Sequence, residues 1–205
     1  MPSQTFNNLS DEKKQRVFEA IQEELIRVPF PEMSINKVIK SAGIPRGSFY
    51  QYFENKDDAF EYFVSECSKR VKDGIMKRIP SVQGDIFDFA GMLFEEIAKE
   101  STEEYKFDII RHVMPYADIK ILVPFSKYVE EMDEDKKILA SKALGIGNLD
   151  IKDEEELMDI INIIEAVFQN AFPRLICGID DAETSVNAFR RKLGIIKKAT
   201  LRKDV

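Results

Sequence analysis

The chain has 205 residues, with 30 Lys and Arg against 37 Asp and Glu, a formal net charge of −7 and a single histidine. That length suits one generous domain or two small ones, and the acidic balance argues against wholesale polyanion binding, so any nucleic-acid contact must come from a local patch. One histidine and two distant cysteines, Cys67 and Cys177, make neither a zinc cluster nor a disulfide framework, and they point to a reducing cytoplasm.

The N-terminus, MPSQTFNNLSDEKK, lacks the basic and then hydrophobic order of a signal peptide. It reads as a short flexible arm, disordered up to Ser10, with no Lys or Arg before Lys13. Ser10 caps a first helix that carries Asp11 and Glu12 in its favourable first turn. Val17, Ile21, Leu25 and Val28 form its core face, and Pro29 and Pro31 stop it.

Residues 33–56, MSINKVIKSAGIPRGSFYQYFENK, hold two short helical patterns broken by Gly43. The Ser34 hydroxyl is placed to cap the first, whose Ile35, Val38, Ile39 and Ala42 make one apolar face. Gly43 supplies the left-handed backbone that ends a helix, and Ile44 plugs the turn. Pro45 suits the first position of the next helix. Gly47 inside so short a helix costs about 1 kcal/mol relative to Ala, which makes sense if something approaches the backbone closely. Phe49 and Phe53, four apart, anchor inward and leave Arg46, Ser48, Tyr50, Gln51 and Tyr52 facing out. Asn55 and Lys56 open a third helix, whose amide-rich end favours a phosphate. Lys37, Lys40, Arg46 and Lys56 make the segment locally positive. Two helices joined by a tight glycine turn are a helix-turn-helix, with the second helix suited to a DNA major groove.

Beyond Lys56, a helix through Phe60, Phe63, Val64, Cys67 and Val71 runs toward Pro80. Further helices are expected over 85–99, 105–114, 118–132 with a kink at Pro124, and 136–144, closed by Gly145-Ile146-Gly147. The last two span 153–177, with Pro173 bending its final turn, and 181–198. The first of these has an apolar stripe wider than one core requires, which suggests self-association of residues 153–198 as a four-helix bundle. No segment alternates with period two, and no apolar run approaches the roughly 18 residues that span a membrane. Both cysteines read as small core residues. The acidic runs at 130–135 and 153–156 lack the spacing of a calcium loop, and neither a phosphate-cradling glycine loop nor a nucleophile elbow occurs.

Residues 9–64 resemble the DNA-binding domain of the TetR/AcrR family of one-component repressors. The family pattern stands here as Ser34, Val38-Ile39, Ala42-Gly43-Ile44, Gly47-Ser48-Phe49-Tyr50, Phe53 and Lys56. Ile39 departs from the usual Ala, which implies a slightly different helix packing. The resemblance implies an all-α fold of about nine helices, with a helix-turn-helix domain over 1–55 and an effector-binding and dimerisation domain over 56–205. It implies phosphate contacts by Ser34 and Asn36, base reading by Arg46, Gly47 and Gln51, a base or phosphate contact by Ser48, and backbone clamps at Tyr50, Tyr52 and Lys56. It also implies a homodimer on a palindromic double-stranded DNA operator, released by a small-molecule effector with no cofactor or metal.

Phe87, Phe94, Phe107, Ile110, Met114, Phe125, Tyr128 and Phe168 are candidates to line the effector pocket, with Met92 and Met132 able to repack. Their aromatic and methionine content suits an apolar or lipid-like effector, although each also suits an ordinary core. His112 either orients a polar group of the effector or is a satisfied core histidine. The competing function is an all-helical small-molecule-binding protein or enzyme with a vestigial DNA-binding head.

Overall fold

The computed structural model of the chain describes residues 2–81, 84–100, 108–116 and 134–202. Among them are ten α-helices: α1 Gln4–Asn7, α2 Asp11–Arg27, α3 Ile35–Ala42, α4 Arg46–Tyr52, α5 Lys56–Arg78, α6 Ile86–Glu100, α7 Asp108–Val113, α8 Glu134–Ala143, α9 Glu154–Ile176 and α10 Ala182–Thr200. The described residues contain no strand; one isolated antiparallel bridge pairs Leu149 with Leu201. The helix expected over 118–132, with Pro124 and Met132, lies outside the described residues. No described helix is long and apolar enough to cross a membrane.

The described chain folds as two compact units. The first takes residues up to Arg70 together with α7, and the second takes Val71 onward without α7. In the first unit, the expected α2 face is buried as Val17, Ile21 and Leu25, joined by Phe18. Against it pack Val38 and Ala42 of α3, Phe49 of α4, Phe53, and Phe60, Phe63 and Val64 of α5. Phe18 stacks on Phe63 at 5.0 Å, and the Arg70 guanidinium lies over the Phe18 ring, 3.8 Å from its centre.

The N-terminal arm is ordered, contrary to the disorder expected from its polar composition. Phe6 is buried between Tyr52, Phe53 and Tyr62, with ring centres 5.6, 5.0 and 4.8 Å away. Ser3 caps α1 by accepting from the Phe6 amide. A single apolar side chain with an aromatic socket thus orders a segment that has almost no helix-forming length of its own.

Segment 105–114 was expected in the effector domain, yet α7 packs on α2 in the first unit. Ile109 and Val113 join that core, and His112 Nδ1 lies 2.9 Å from the Leu25 carbonyl oxygen near the end of α2.

The second unit is built on α6, α9 and α10. Phe87, Phe89, Phe94 and Ala98 of α6 meet Ile160, Ile161 and Ile164 of α9 and Phe189 and Leu193 of α10. Asp153 and Asp181 cap α9 and α10 by accepting from the Glu156 and Thr184 amides. At the open end of α6, Lys197 of α10 sits 2.8 Å from both Asp85 and Asp88. α9 stays helical through Pro173 to Ile176, and the chain then leaves through Gly178 at φ 66°.

Candidate nucleic-acid interface

The turn between α3 and α4 follows from two hydrogen bonds. Gly43 takes φ 63°, its amide donates to Lys40, and the Ile44 amide donates to Ile39. This pairing, with Ile44 folded back toward Ile39, is the standard glycine-terminated helix end. Helix α4 starts at Arg46 with Pro45 as its capping residue, one position later than expected. Phe49 and Phe53 are buried and anchor the inner side of the helix.

Helical geometry then fixes what remains outside. Arg46, Gly47, Tyr50 and Gln51 are exposed on α4, as are Asn36, Lys37 and Lys40 on α3, while Ser48 is half-buried. The Arg46 guanidinium donates to Asn36 Oδ1 at 3.1 Å. The two elements of the motif are thereby joined through side chains expected to contact DNA. A Cβ placed on Gly47 would meet nothing within 4 Å. Internal packing therefore gives no reason for glycine there.

Ser34 and Ser10 lack the side-chain caps expected of them, and Tyr52 and Lys56 have partners within the fold. Ser34 stands at the N-cap of α3, but its hydroxyl makes no capping bond. Its backbone amide donates instead to Glu24 Oε1 at 3.0 Å. Ser10 likewise occupies the N-cap of α2 without a side-chain cap. Tyr52 is half-buried against Phe6. The Lys56 ammonium donates to the Pro31 carbonyl at 2.9 Å and lies over the Phe30 ring, which leaves two N–H donors for other acceptors. The start of α5 is already supplied with acceptors: Asn55 Oδ1 receives the Asp58 amide, and Asp58 Oδ2 receives the Glu54 amide. Its helix terminus is thus less open to a phosphate than its sequence suggests.

Two supports escaped the sequence reading. Ser3 binds the C-terminal end of α4, its amide donating to Tyr52 and its hydroxyl to the Gln51 carbonyl at 2.5 Å. Carbonyls at a helix end have no partner within the helix, so this contact closes α4 below its exposed face. The other is Glu24, 4% exposed, which holds the start of α3 and pairs with Arg27 through two hydrogen bonds of 2.6 and 2.8 Å. Glu24 lies three positions from Ile21 on the apolar side of α2, and a lone acid on that face was the available signal.

The Arg27 hydrogen bonds, against the opposing effect of burial, hold the Glu24 carboxyl below its usual 4.5. A depressed carboxyl stabilises the fold above that value, and the contribution is lost as pH falls through and below it. Glu24→Ala should destabilise the first unit by about 1–3 kcal/mol, because the Ser34 amide loses its partner. Urea unfolding at neutral pH and at about pH 3 should show a smaller pH dependence for the variant than for the wild type.

The residues expected at an effector site are divided. Phe87, Phe94 and Phe168 belong to the core of the second unit. Ile110, His112 and Met114 belong to α7 and its end in the first. Phe107, Phe125 and Tyr128 lie outside the described residues. Cys67 packs on the first core, where burial pushes its thiol up to about 11 and leaves it a poor nucleophile. Cys177 is exposed, unlike the small core residue it was expected to be, because it follows the last turn of α9.

A helix-turn-helix on an all-helical body defines the class: a DNA-binding transcription regulator. Residues 17–63 match the family described as bacterial regulatory proteins, tetR family, and residues 85–198 match the tetracyclin repressor-like C-terminal domain. The chain belongs to the TetR family. Similar solved structures include Escherichia coli NemR in its reduced form, with 16% identity, coverage of 95% of this chain and 100% of that one, and a TM-score of 0.62. Bacillus subtilis FadR in complex with stearoyl-CoA shares 13% identity, with 88% and 97% coverage and a TM-score of 0.60. A putative TetR-family transcriptional regulator from Mesorhizobium loti shares 11% identity, with 93% and 98% coverage and a TM-score of 0.62. These likenesses show the fold. No curated protein matches the chain.

Proposed function

We propose that the chain is a homodimeric, ligand-responsive transcriptional repressor of the cytoplasm that binds a palindromic operator and has no enzymatic activity. The exposed α4 row of Arg46, Tyr50 and Gln51, beside an open Gly47, carries the reading. Arg46 and Gln51 read base edges, with Gly47 admitting the DNA to the α4 backbone, and Ser48 touches a base or a phosphate. Ser34, Tyr50, Tyr52 and Lys56 hold the phosphate backbone and set register. Asn36, expected on phosphate, also orients Arg46 through their hydrogen bond.

Self-association uses α9 and α10. Ile163 and Ile195 are 47% and 65% exposed, apolar surface that a partner could cover on two helices that also close their own core. A two-fold dimer sets two copies of α4 about one turn of DNA apart, ~34–36 Å. The effector is apolar or lipid-like, and the stearoyl-CoA bound by the structurally similar FadR supports that class. It must bind the DNA-competent and incompetent shapes with different affinity, and a coupling of about 1–3 kcal/mol is typical.

Gel-shift titration of a selected operator tests the assignment. Arg46→Ala should cost ~1–3 kcal/mol and relax base preference, whereas Lys56→Ala should weaken all sequences alike. Wild-type affinity in both Arg46→Ala and Tyr50→Ala would refute it.

A further inference from the structure

The second unit contains a cavity of about 420 Å³, in the range of small-molecule sites, whose described lining includes none of Phe87, Phe94 and Phe168. It opens between the end of α5, the start of α6, α8 and the first turns of α9. Its floor is aliphatic: Ile79, Ile86, Leu144 and Ile161 are all buried. Met76 and Met158 flank the floor, and their flexible thioethers let the cavity fit tails of different shape. Among the described residues no aromatic side chain lines it, and a flexible aliphatic chain suits the described lining.

The mouth is charged, and its charges are unequally engaged. Asp153 is occupied in capping α9 by accepting the Glu156 amide. Glu154 pairs with Lys137 across the opening at 3.5 Å. Lys142 is exposed on the rim and has no acidic partner among the described residues. One cation therefore remains at the edge of an aliphatic hole whose nearby acids are already engaged.

We propose that this cavity binds an aliphatic monocarboxylate, with the tail between Met76 and Met158 and the carboxylate at Lys142, and that this is the effector site of the regulator. The proposal rests on the ligand-responsive reading above and gives that reading a place and a ligand class. Burying the tail supplies affinity, and the rim lysine selects an anion over an amine or an alcohol.

Calorimetric titration of the full chain with decanoate, decylamine and decanol tests it, alongside Met158→Trp, which fills the cavity, and Lys142→Glu, which reverses the rim. Decanoate should bind the wild type at least tenfold more tightly than decylamine or decanol does. Each variant should bind decanoate at least tenfold more weakly. Lys142 is exposed, so its variant remains informative even if Met158→Trp does not fold. Absence of decanoate binding, equal binding of decylamine, or unchanged affinity in Lys142→Glu would overturn the site. In a parallel gel shift without decanoate, both variants should bind operator as the wild type does. Decanoate that binds with these preferences but leaves operator affinity unchanged would uphold the site and refute its effector role alone.

Discussion

Phe53→Ala should destabilise the first unit by about 3–5 kcal/mol, the range for removing a fully buried phenylalanine. Phe53 is 1% exposed and follows the last residue of α4. Its ring meets Phe6 at 5.0 Å, Phe49 at 5.4 Å and Tyr62 at 5.6 Å, so one substitution removes an aromatic contact to α1, α4 and α5 together. The vacancy cannot be filled by local collapse, because each neighbour is held by its own helix. A loss of this size is a large part of the 5–15 kcal/mol that stabilises a typical domain. Urea unfolding should show the shift, and hydrogen exchange should place it in α1, α4 and α5. DNA affinity should fall with it, since Phe49 and Phe53 are the buried anchors of the exposed α4 row. A loss below about 1 kcal/mol would mean that the socket around Phe6 is not packed as described.

Phe94→Ala should cost a similar amount, about 3–5 kcal/mol, in the second unit. Phe94 is fully buried, stacked on Phe189 at 4.3 Å and met edge-on by Phe168 at 5.8 Å. Offset and edge-on pairs of this kind add about 0.5–1.5 kcal/mol beyond the area they bury. Phe94→Leu, which keeps much of the apolar side chain but loses both ring contacts, should cost less than Phe94→Ala. The comparison separates a packing role from ligand contact. Chemical unfolding of the two variants should show the ordered losses, with decanoate affinity little changed in Phe94→Leu.

Much of the first unit was legible because its signals are local. Gly43 had to be left-handed, Ile44 had to fold inward, and the four-residue spacing of Phe49 and Phe53 fixed which side of α4 stays outside. The supports of the same site were not legible, because they act between distant segments. Ser3 reaches Gln51 and Tyr52. Glu24, on α2, accepts the Ser34 backbone amide at the start of α3. A four-residue helix such as α1 has no propensity signal that survives without its socket. Segment 105–114 reads as a helix from sequence, but periodicity does not say which of two cores will take it. The effector residues show the same limit: aromatic side chains at helical spacing look alike whether they close a core, as Phe94 does, or line a hole. The cavity instead lies among aliphatic residues drawn from four separate stretches, a pattern with no sequence period.

The most direct test of the central claim is selection of bound sequences from a random double-stranded DNA pool by the full chain. A palindrome should be enriched, with half-sites centred about one helical turn apart, ~34–36 Å. An Arg46→Ala, Gln51→Ala double variant should lose base preference within each half-site while keeping the spacing. Enrichment of no sequence by the wild type, or of the same half-sites by the double variant, would contradict α4 as the reading head.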